Sequence, residues 1–434
     1  MKAVAAAAML GACGAPASYL GAETPAACHS SDAEHCASAL AERDLVAGDL
    51  DIYADAGLRL YVQSVADRLA RGSHLTHSPR LVISNHDSTY APFGNAIVIG
   101  RVTIEKLGSE AELAAVVAHE MAHIEGHHAS VSLFGPDTDK QWLAARRDAE
   151  GIADERAVAL LEHSGYSPRA MPRALMAELD GDDDEHPPRA DRIARVATLA
   201  ADRLGFEGRE ELLHHLDRMV VGRDTRLGIQ VGKAWVVANL GIALELPPDD
   251  ISHVEGDGLV LRHERAELDA YAIGAPWARE LASHLEDAET AETALGRVTI
   301  GVAPEREEAG TDPLARLEKV VRSTLPQPAP GMSVVIVERC LGQLDGSSSC
   351  AGLVIELATH GDSVVNKRWI AGLRAATRRE LAAAEPARIE LATATREAKF
   401  ATLAEACPNP AAALELDDPD RLILPGTPFK CTDR

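Results

Sequence analysis

The sequence predicts an α+β protein with a mainly helical first half and a second half that is richer in strands. Apolar residues recur at helical spacing between residues 109 and 163, whereas short apolar runs alternate with turn residues from about residue 227 onwards. The chain has 434 residues, enough for two or three domains, and 46% of them are apolar. Its net charge of −24 argues against a nucleic-acid partner, which would require a basic face.

The first residues have the composition of an export signal. Lys2 is followed by an apolar stretch and by small residues up to residue 12. The run Leu10-Gly11-Ala12-Cys13 resembles the lipobox of bacterial lipoproteins, which implies that Cys13 carries acyl chains and anchors the protein to a membrane. Plain secretion, with Cys13 lost in the cleaved peptide, is the alternative. Gly14 in place of Asp favours the outer membrane by the same analogy, and residues 13–39 are predicted to form a tether.

The other cysteines also indicate export. They are even in number, as expected of disulfides in an exported chain, and none has the spacing of a zinc knuckle. They lie in near pairs along the chain, so the simplest of about fifteen connectivities joins neighbours, and free buried thiols are the alternative. The predicted pairs are Cys28–Cys36, Cys340–Cys350 and Cys407–Cys431.

The most specific pattern is the run His119-Glu120-Met121-Ala122-His123 inside a predicted helix. Ser109 and Glu112 have the spacing of a capping box that begins this helix. Two histidines four residues apart project from one helix face and can share a metal ion. Glu120 lies beside a water bound to that metal and can take its proton.

A catalytic zinc site needs a third protein ligand. The extended motif of the metzincins fails here because Ala129 occupies the position of its final histidine. Gluzincins instead use a Glu on a following helix, and a second helix is predicted from about Asp139 to His163. It carries Glu150 as the candidate ligand and, one turn later, Asp154, which can reach a ligand imidazole.

With these motifs, the sequence resembles the HtpX/BepA/CAAX-prenyl-protease family of zinc metallopeptidases, over residues 40–205. The matching segments are the HExxH, the ExxAD of residues 150–154, Ser164–Pro168, His186-Pro187 and Arg192-Ile193. The resemblance implies a mainly helical gluzincin domain with a small sheet and one Zn²⁺ per chain, bound by His119, His123 and Glu150. It makes Glu120 the general base and places His186 near the active site, where a histidine can act as a latch or assist the transition state. It places Asp154 and Arg192 behind the ligands, with a helix-surface charge as the alternative for Asp154. A loop histidine that caps a helix is the alternative for His186, and a surface ion pair is the alternative for Arg192.

Two runs before the active-site helix, Arg80–Ile83 and Ala96–Ile99, are predicted strands. They would line the cleft as an edge to which an extended peptide can add.

The second half gives no catalytic signal. Residues 206–385 are predicted to be a small α+β accessory domain, with helices at 312–325 and 369–384 and strands at 234–237, 241–246, 298–302, 333–338 and 353–357. Residues 386–434 resemble a degenerate LysM module, in which Glu397-Ala398-Lys399 replaces the usual Gly-Asp-Thr turn. Peptidoglycan binding and a structural cap are the two interpretations of this last unit.

Three functions follow from these observations. The favoured one is a zinc-dependent endopeptidase of the bacterial cell envelope, because Glu120 is intact. The second is a latent or noncatalytic zinc-bearing assembly factor or chaperone for outer-membrane proteins, and the third is a cell-wall binding protein with a structural metal. The resemblance implies a periplasmic lipoprotein, with misfolded or stalled envelope proteins as substrates and the membrane contacted only through the lipid anchor.

Overall fold

The computed structural model describes residue 53 and residues 55–433, apart from 86–88, 92–94, 129–138, 179–185, 249, 256–257, 264–265, 305–327, 343–347 and 358–362. The predicted signal peptide and tether, with Cys13, Cys28 and Cys36, lie outside these residues, as does the predicted helix 312–325. In the described part of the chain, no helix has both the length and the apolar character needed to cross a membrane. The architecture is α+β, as predicted.

The first half is built from helices around a small sheet. The helices are α1 (Ala56–Ala70), α2 (Arg101–Lys106), α3 (Glu110–Glu125), α4 (Asp139–His163), α5 (Ala170–Glu178), α6 (Arg189–Ala200) and α7 (Arg209–Leu216). The two strands, β1 (Arg80–Ser84) and β2 (Ala96–Gly100), are parallel and in register from Arg80↔Ala96 to Ser84↔Gly100. These bounds agree with the two predicted strands and with the predicted second helix.

Helix α3 lies at the centre of the largest hydrophobic core. Its residues from Glu110 to Ala122 are all buried, because α1, α4, α5 and α7 pack around it. The same core includes Leu212 and Leu216 of α7, and it extends to Ile389 and Leu416 near the carboxyl terminus. The helix that carries the HExxH motif is therefore held by residues from most of the chain.

The beginning of α3 differs from the predicted capping box. The Ser109 hydroxyl accepts the Glu112 N–H at 3.2 Å, as predicted. The Glu112 carboxylate, however, accepts the N–H of Gly108 at 2.6 Å instead of that of Ser109. The reason is that Arg173 and Arg421 donate to the same carboxylate, at 2.7 and 3.0 Å, and hold it away from the Ser109 backbone.

The middle of the chain forms two packed antiparallel sheets. The smaller sheet contains β3 (Ile229–Val231), β4 (Ala234–Val237), β5 (Ile242–Glu245) and β13 (Leu373–Ala375), in the order β13-β5-β4-β3. The larger sheet contains β6 (Ile251–Glu255), β7 (Gly258–His263), β8 (Ala266–Gly274), β9 (Glu286–Thr293), β10 (Gly296–Val302), β11 (Ser333–Gly342) and β12 (Ser348–Leu357), in the order β6-β7-β8-β12-β11-β10-β9.

Strand β11 shows why its sequence is a continuous apolar run. Val335 and Val337 pack in the core between the two sheets, together with Trp235 and Trp369. Val334 and Ile336 point to the other face, where helix α8 (Ala275–His284) covers them. Both faces of the strand are buried, so the alternation of apolar and polar residues disappears.

The predicted helix at 369–384 is wrong as a single element. The structure has helix α9 (Ser363–Ala371), then strand β13, then helix α10 (Arg378–Ala383). Gly372 ends the first helix, and residues 373–375 pair with β5 instead of continuing it. Thr377 then begins α10 with a reciprocal capping box to Glu380.

The last unit contains two strand pairs and two short helices. Strand β14 (Ile389–Thr393) pairs with β17 (Pro428–Thr432), and β15 (Ala398–Lys399) pairs with β16 (Leu422–Ile423), while α11 (Phe400–Ala404) and α12 (Pro410–Leu414) pack against them. The predicted disulfide Cys407–Cys431 is present and cross-links this unit internally. Cys340 is also disulfide-bonded, and Cys350 lies opposite it in the register of β11 and β12.

The carboxyl-terminal unit is anchored to the segment before α3 by a buried lysine. The Lys430 side chain is fully buried and donates to the carbonyl oxygens of Glu105, Leu107 and Leu416, at 2.6, 2.6 and 3.0 Å. Glu105 and Leu107 lie at the end of α2, immediately before α3. The unit therefore closes the carboxyl end of α2, whose last carbonyl groups need such a donor.

Candidate metal centre

Three side chains from two helices converge on one point. His119 and His123 lie one turn apart on α3, and their Nε2 atoms are 3.0 Å apart. Glu150 of α4 approaches them with both oxygens, at 3.4 Å from His119 Nε2 and 3.3 Å from His123 Nε2. These ligand atoms all lie within 4.8 Å of one another, so the three residues could hold one metal ion. They are the ligands that the sequence predicts.

The donor set fits zinc. Two neutral imidazoles and one carboxylate are a known ligand set of catalytic zinc, and they leave a fourth position for water or substrate. The contacts with His119 and His123 hold the pKa of Glu150 well below its usual range, although burial opposes this shift. The carboxylate is therefore ionised, as a metal ligand must be.

Asp154 fixes the orientation of the first histidine. Its carboxylate is fully buried, and Oδ1 lies 3.2 Å from His119 Nδ1. Burial opposes ionisation here too, but the hydrogen bonds with His119 and Arg192 lower the pKa of Asp154 to about 2. A metal bound at Nε2 of His119 would leave the ring proton on Nδ1, where the carboxylate of Asp154 is 3.2 Å away.

Arg192 of α6 connects Glu150 and Asp154, two acidic residues of α4. It donates to Asp154 through Nε at 3.0 Å and Nη2 at 2.8 Å, and Nη2 also lies 3.1 Å from Glu150 Oε2. The side chain is 3% exposed, so it belongs to a buried network and not to a surface ion pair. Arg195 adds a further bond to Asp154 at 3.1 Å.

His123 has a different neighbour on its far side. Its Nδ1 lies 2.9 Å from Nδ1 of His128, a residue in the turn that follows α3. Burial and the nearby His123 lower the pKa of His128 to about 4, which keeps its imidazole neutral at physiological pH. The resemblance over residues 109–128 includes His128, which the sequence predicts to lie on the helix surface or behind the ligands.

Glu120 is buried between the ligands and the small sheet. Its residue is 5% exposed, and burial raises the pKa of its carboxyl well above the usual range. The Ala91 N–H donates to it. Ala91 follows Tyr90, whose backbone N–H and carbonyl bond to Val98 of β2 at 3.0 and 2.9 Å. The segment that contacts Glu120 therefore pairs with β2, on the side of that strand opposite β1.

His186 lies at the rim of the centre. Its Nε2 atom is 3.9 Å from Glu150 Oε1, and its side chain is 31% exposed. It precedes α6, so the helix that carries Arg192 also places this histidine beside the ligands.

Sequence reasoning missed Glu178, the last residue of α5. Burial raises the pKa of its carboxyl, which interacts electrostatically with His119 and Glu120. The signal that points to it is its spacing. It lies three and four residues after the buried Leu175 and Ala174, so it falls on the buried face of an amphipathic helix.

Comparison with known proteins supports the same chemistry. Residues 58–144 match the family model described as peptidase family M48. No curated protein matches the chain. The matched segment includes α3 with both histidines but ends before Glu150, so the structure independently supplies the third ligand. This match and this geometry support a zinc metallopeptidase whose segment with the active-site helix is similar to peptidase family M48.

Proposed function

We propose that this metallopeptidase is an endopeptidase of the bacterial cell envelope that hydrolyses peptide bonds of misfolded or stalled envelope proteins. The observation that carries the proposal is the position of Glu120, buried beside a ligand set that accounts for three zinc positions. A structural zinc site would have a fourth protein ligand. The ligand group found among the described residues has three members and leaves a position open.

The chemistry divides between the metal and the chain. Zinc held by His119, His123 and Glu150 would polarise the scissile carbonyl and make water a better nucleophile. The Glu120 carboxylate accepts the proton of the attacking water and then donates it to the leaving amine. The Ala91 N–H orients this carboxylate, and Arg192 keeps Glu150 and Asp154 in place.

His186 is assigned to the substrate side of the site. It is partly exposed, and its Nε2 atom lies 3.9 Å from the ligand carboxylate of Glu150. At this position its imidazole can donate to the carbonyl oxygen of a bound peptide, where negative charge develops during attack.

The proposed location follows from the amino terminus and the cysteines. Residues 1–12 have the pattern of an export signal, and Cys13 stands where a lipoprotein carries its acyl chains. The Cys407–Cys431 disulfide is typical of an oxidising compartment such as the periplasm. Misfolded envelope proteins would be the substrates that meet an anchored endopeptidase there.

Cleavage of an unfolded protein tests the enzyme. The chain from residue 14 onwards, loaded with one equivalent of zinc, should cleave it, and Glu120→Gln should reduce the rate by about 10²–10⁴-fold while zinc remains bound. Glu125→Gln is the matched control, because Glu125 lies on the same helix and pairs with Arg156 away from the ligands.

If the wild-type chain binds zinc tightly but cleaves nothing, the endopeptidase proposal is wrong as stated. The zinc-bearing assembly factor then takes its place. His186→Ala distinguishes that factor from a latched enzyme, which is an enzyme that His186 holds inactive. Only the latched enzyme would gain cleavage activity when the histidine is removed.

A further inference from the structure

Helix α3 ends in a tight reversal of the chain directly after the second histidine ligand. The N–H of Gly126 bonds to the Ala122 carbonyl at 3.0 Å, and the N–H of His127 bonds to the Ile124 carbonyl at 3.1 Å. His127 has a φ of 53°, in the left-handed region that residues other than glycine rarely adopt. The N–H of His128 then returns to the carbonyl of His123 at 3.0 Å. The turn folds His128 back over the last turn of the helix.

The imidazole of His128 occupies a space that only glycine leaves open. A Cβ on Gly126 would lie 2.3 Å from Nε2 of His128, 2.7 Å from Cδ2 and 2.8 Å from Cε1. These distances are well below van der Waals contact, so the ring and a side chain at position 126 exclude each other. The glycine and the histidine therefore form one structural unit.

The ring meets the ligand edge-on. The Nδ1 atoms of His123 and His128 are 2.9 Å apart, and the two rings are T-shaped, with centroids 4.9 Å apart and an interplanar angle of 80°. The Nε2 atom of His123 faces His119 and Glu150, so the proton of its ring belongs on Nδ1. The Nδ1–H group of His123 then points at Nδ1 of His128, which accepts a hydrogen bond from it.

We propose that His128 is a positioning residue of the metal centre, which accepts the Nδ1–H of His123 and so fixes the tautomer and ring orientation of that ligand. This inference rests on the proposed zinc site. Asp154 has the corresponding role for His119, so one ligand has an anionic partner and the other a neutral partner. The left-handed turn at His127 and the absence of a side chain at Gly126 allow His128, the neutral partner, to lie against His123.

A matched pair of substitutions at His128 tests the hydrogen bond apart from the shape of the side chain. His128→Asn keeps an acceptor oxygen where Nδ1 stands, whereas His128→Leu has a similar shape and no acceptor. Zinc affinity is measured by competition with a chromophoric chelator. Loss of such a partner costs about 10–100-fold in metal affinity, so Leu should show this loss and Asn should recover most of it.

Gly126→Ala provides an independent way to break the same contact. It should weaken zinc binding to the same extent as His128→Leu. The double substitution should bind zinc no more weakly than either single one, because both changes remove the same His123–His128 hydrogen bond. His127→Asn is the control, since asparagine tolerates the left-handed region and leaves His128 in place; its zinc affinity should stay within about twofold of wild type.

Far-ultraviolet circular dichroism of each metal-free variant shows that it is folded. The inference is overturned if folded His128→Leu binds zinc as tightly as wild type, or if His128→Asn loses as much affinity as His128→Leu. Because the readout is zinc affinity, a wild-type chain that binds zinc without cleaving substrate refutes the endopeptidase proposal and leaves the inference about His128 open to the same test.

Discussion

Glu112 lies in the first turn of the active-site helix and accepts bonds from three parts of the chain. The residue is 2% exposed. Its carboxylate accepts the Gly108 N–H at 2.6 Å, Arg173 Nε at 2.7 Å and Arg421 Nη2 at 3.0 Å. Glu112→Gln removes the charge and replaces one acceptor oxygen by a donor, which then faces either an arginine or the Gly108 N–H.

The expected loss of stability is large for one isosteric change. Breaking a buried ion pair from one side costs about 3–5 kcal/mol. The arginines are 37% and 20% exposed, so water can partly solvate them after the change, and the loss should fall at or below the lower end of this range. We expect Glu112→Gln to lower the free energy of unfolding by about 2–3 kcal/mol at pH 7.

The pH dependence gives the prediction its sharpest form. Burial opposes ionisation of Glu112, but Arg421 and Arg173 outweigh it and lower the pKa of the carboxyl in the folded state. A lowered folded pKa contributes stability that is present above the unfolded value of about 4.3 and is lost as the pH falls through the folded value. The difference between wild type and Glu112→Gln should therefore be constant from pH 7 to pH 5 and shrink as the pH falls below about 4.

Urea unfolding of metal-free protein at several pH values measures this difference. Glu207→Gln is the matched control, because Glu207 pairs with the same Arg173 but its side chain is 45% exposed. It should cost less than about 1 kcal/mol, as surface ion pairs do. A difference for Glu112→Gln that is below 1 kcal/mol, or that does not change between pH 7 and pH 3, would refute the reasoning.

Two further substitutions test the rest of the network. Asp154→Asn should weaken zinc binding by about 10–100-fold in chelator competition, because the anionic partner of His119 Nδ1 is lost; an unchanged affinity would show that Asp154 does not orient the ligand. Burial lowers the pKa of Lys430 to about 8, so the unfolded chain binds more protons between pH 8 and about 10.4 and wild-type stability should rise across that window. Lys430→Met should lack this rise in urea unfolding, and the same slope in both proteins would contradict the assignment.

The metal ligands were predictable because their signal is local. Two histidines one helical turn apart share a face in any α-helix, and Glu150 followed by Asp154 repeats that spacing on the next helix. The structure places His119, His123 and Glu150 within one cluster. The match of residues 58–144 to the model of peptidase family M48, together with this cluster, confirms the predicted zinc cofactor.

The strands of the second half were predictable only where they are buried. Strand β11 has apolar residues on both faces and was found, whereas β9 is exposed along its whole length and was missed. Its sequence, EDAETAET, has little preference for a strand and forms one because β10 pairs with it. The same cause makes residues 373–375 a strand on β5 inside a segment that has helical composition.

The contacts that hold the active-site helix are not local, and no spacing rule points to them. Arg421 meets Glu112 across 309 residues of sequence, and Lys430 meets the carbonyl groups before α3 across more than 300. The carboxyl-terminal unit therefore packs as part of the metallopeptidase core. That packing supports its interpretation as a structural cap, while peptidoglycan binding stays a prediction.

The helix that carries the HExxH motif is thus fixed at both ends by different chemistry. At its amino end, the buried carboxylate of Glu112 accepts hydrogen bonds from two arginines, one of them from the carboxyl-terminal unit. At its carboxyl end, a glycine and a left-handed histidine turn His128 back onto a ligand. Zinc ligation tolerates little error in distance, so the ligands need a helix that neither shifts nor frays. Because the second ligand lies only three residues before Gly126, fraying of the last turn would move His123 first, and the turn at Gly126–His128 is the element that prevents it.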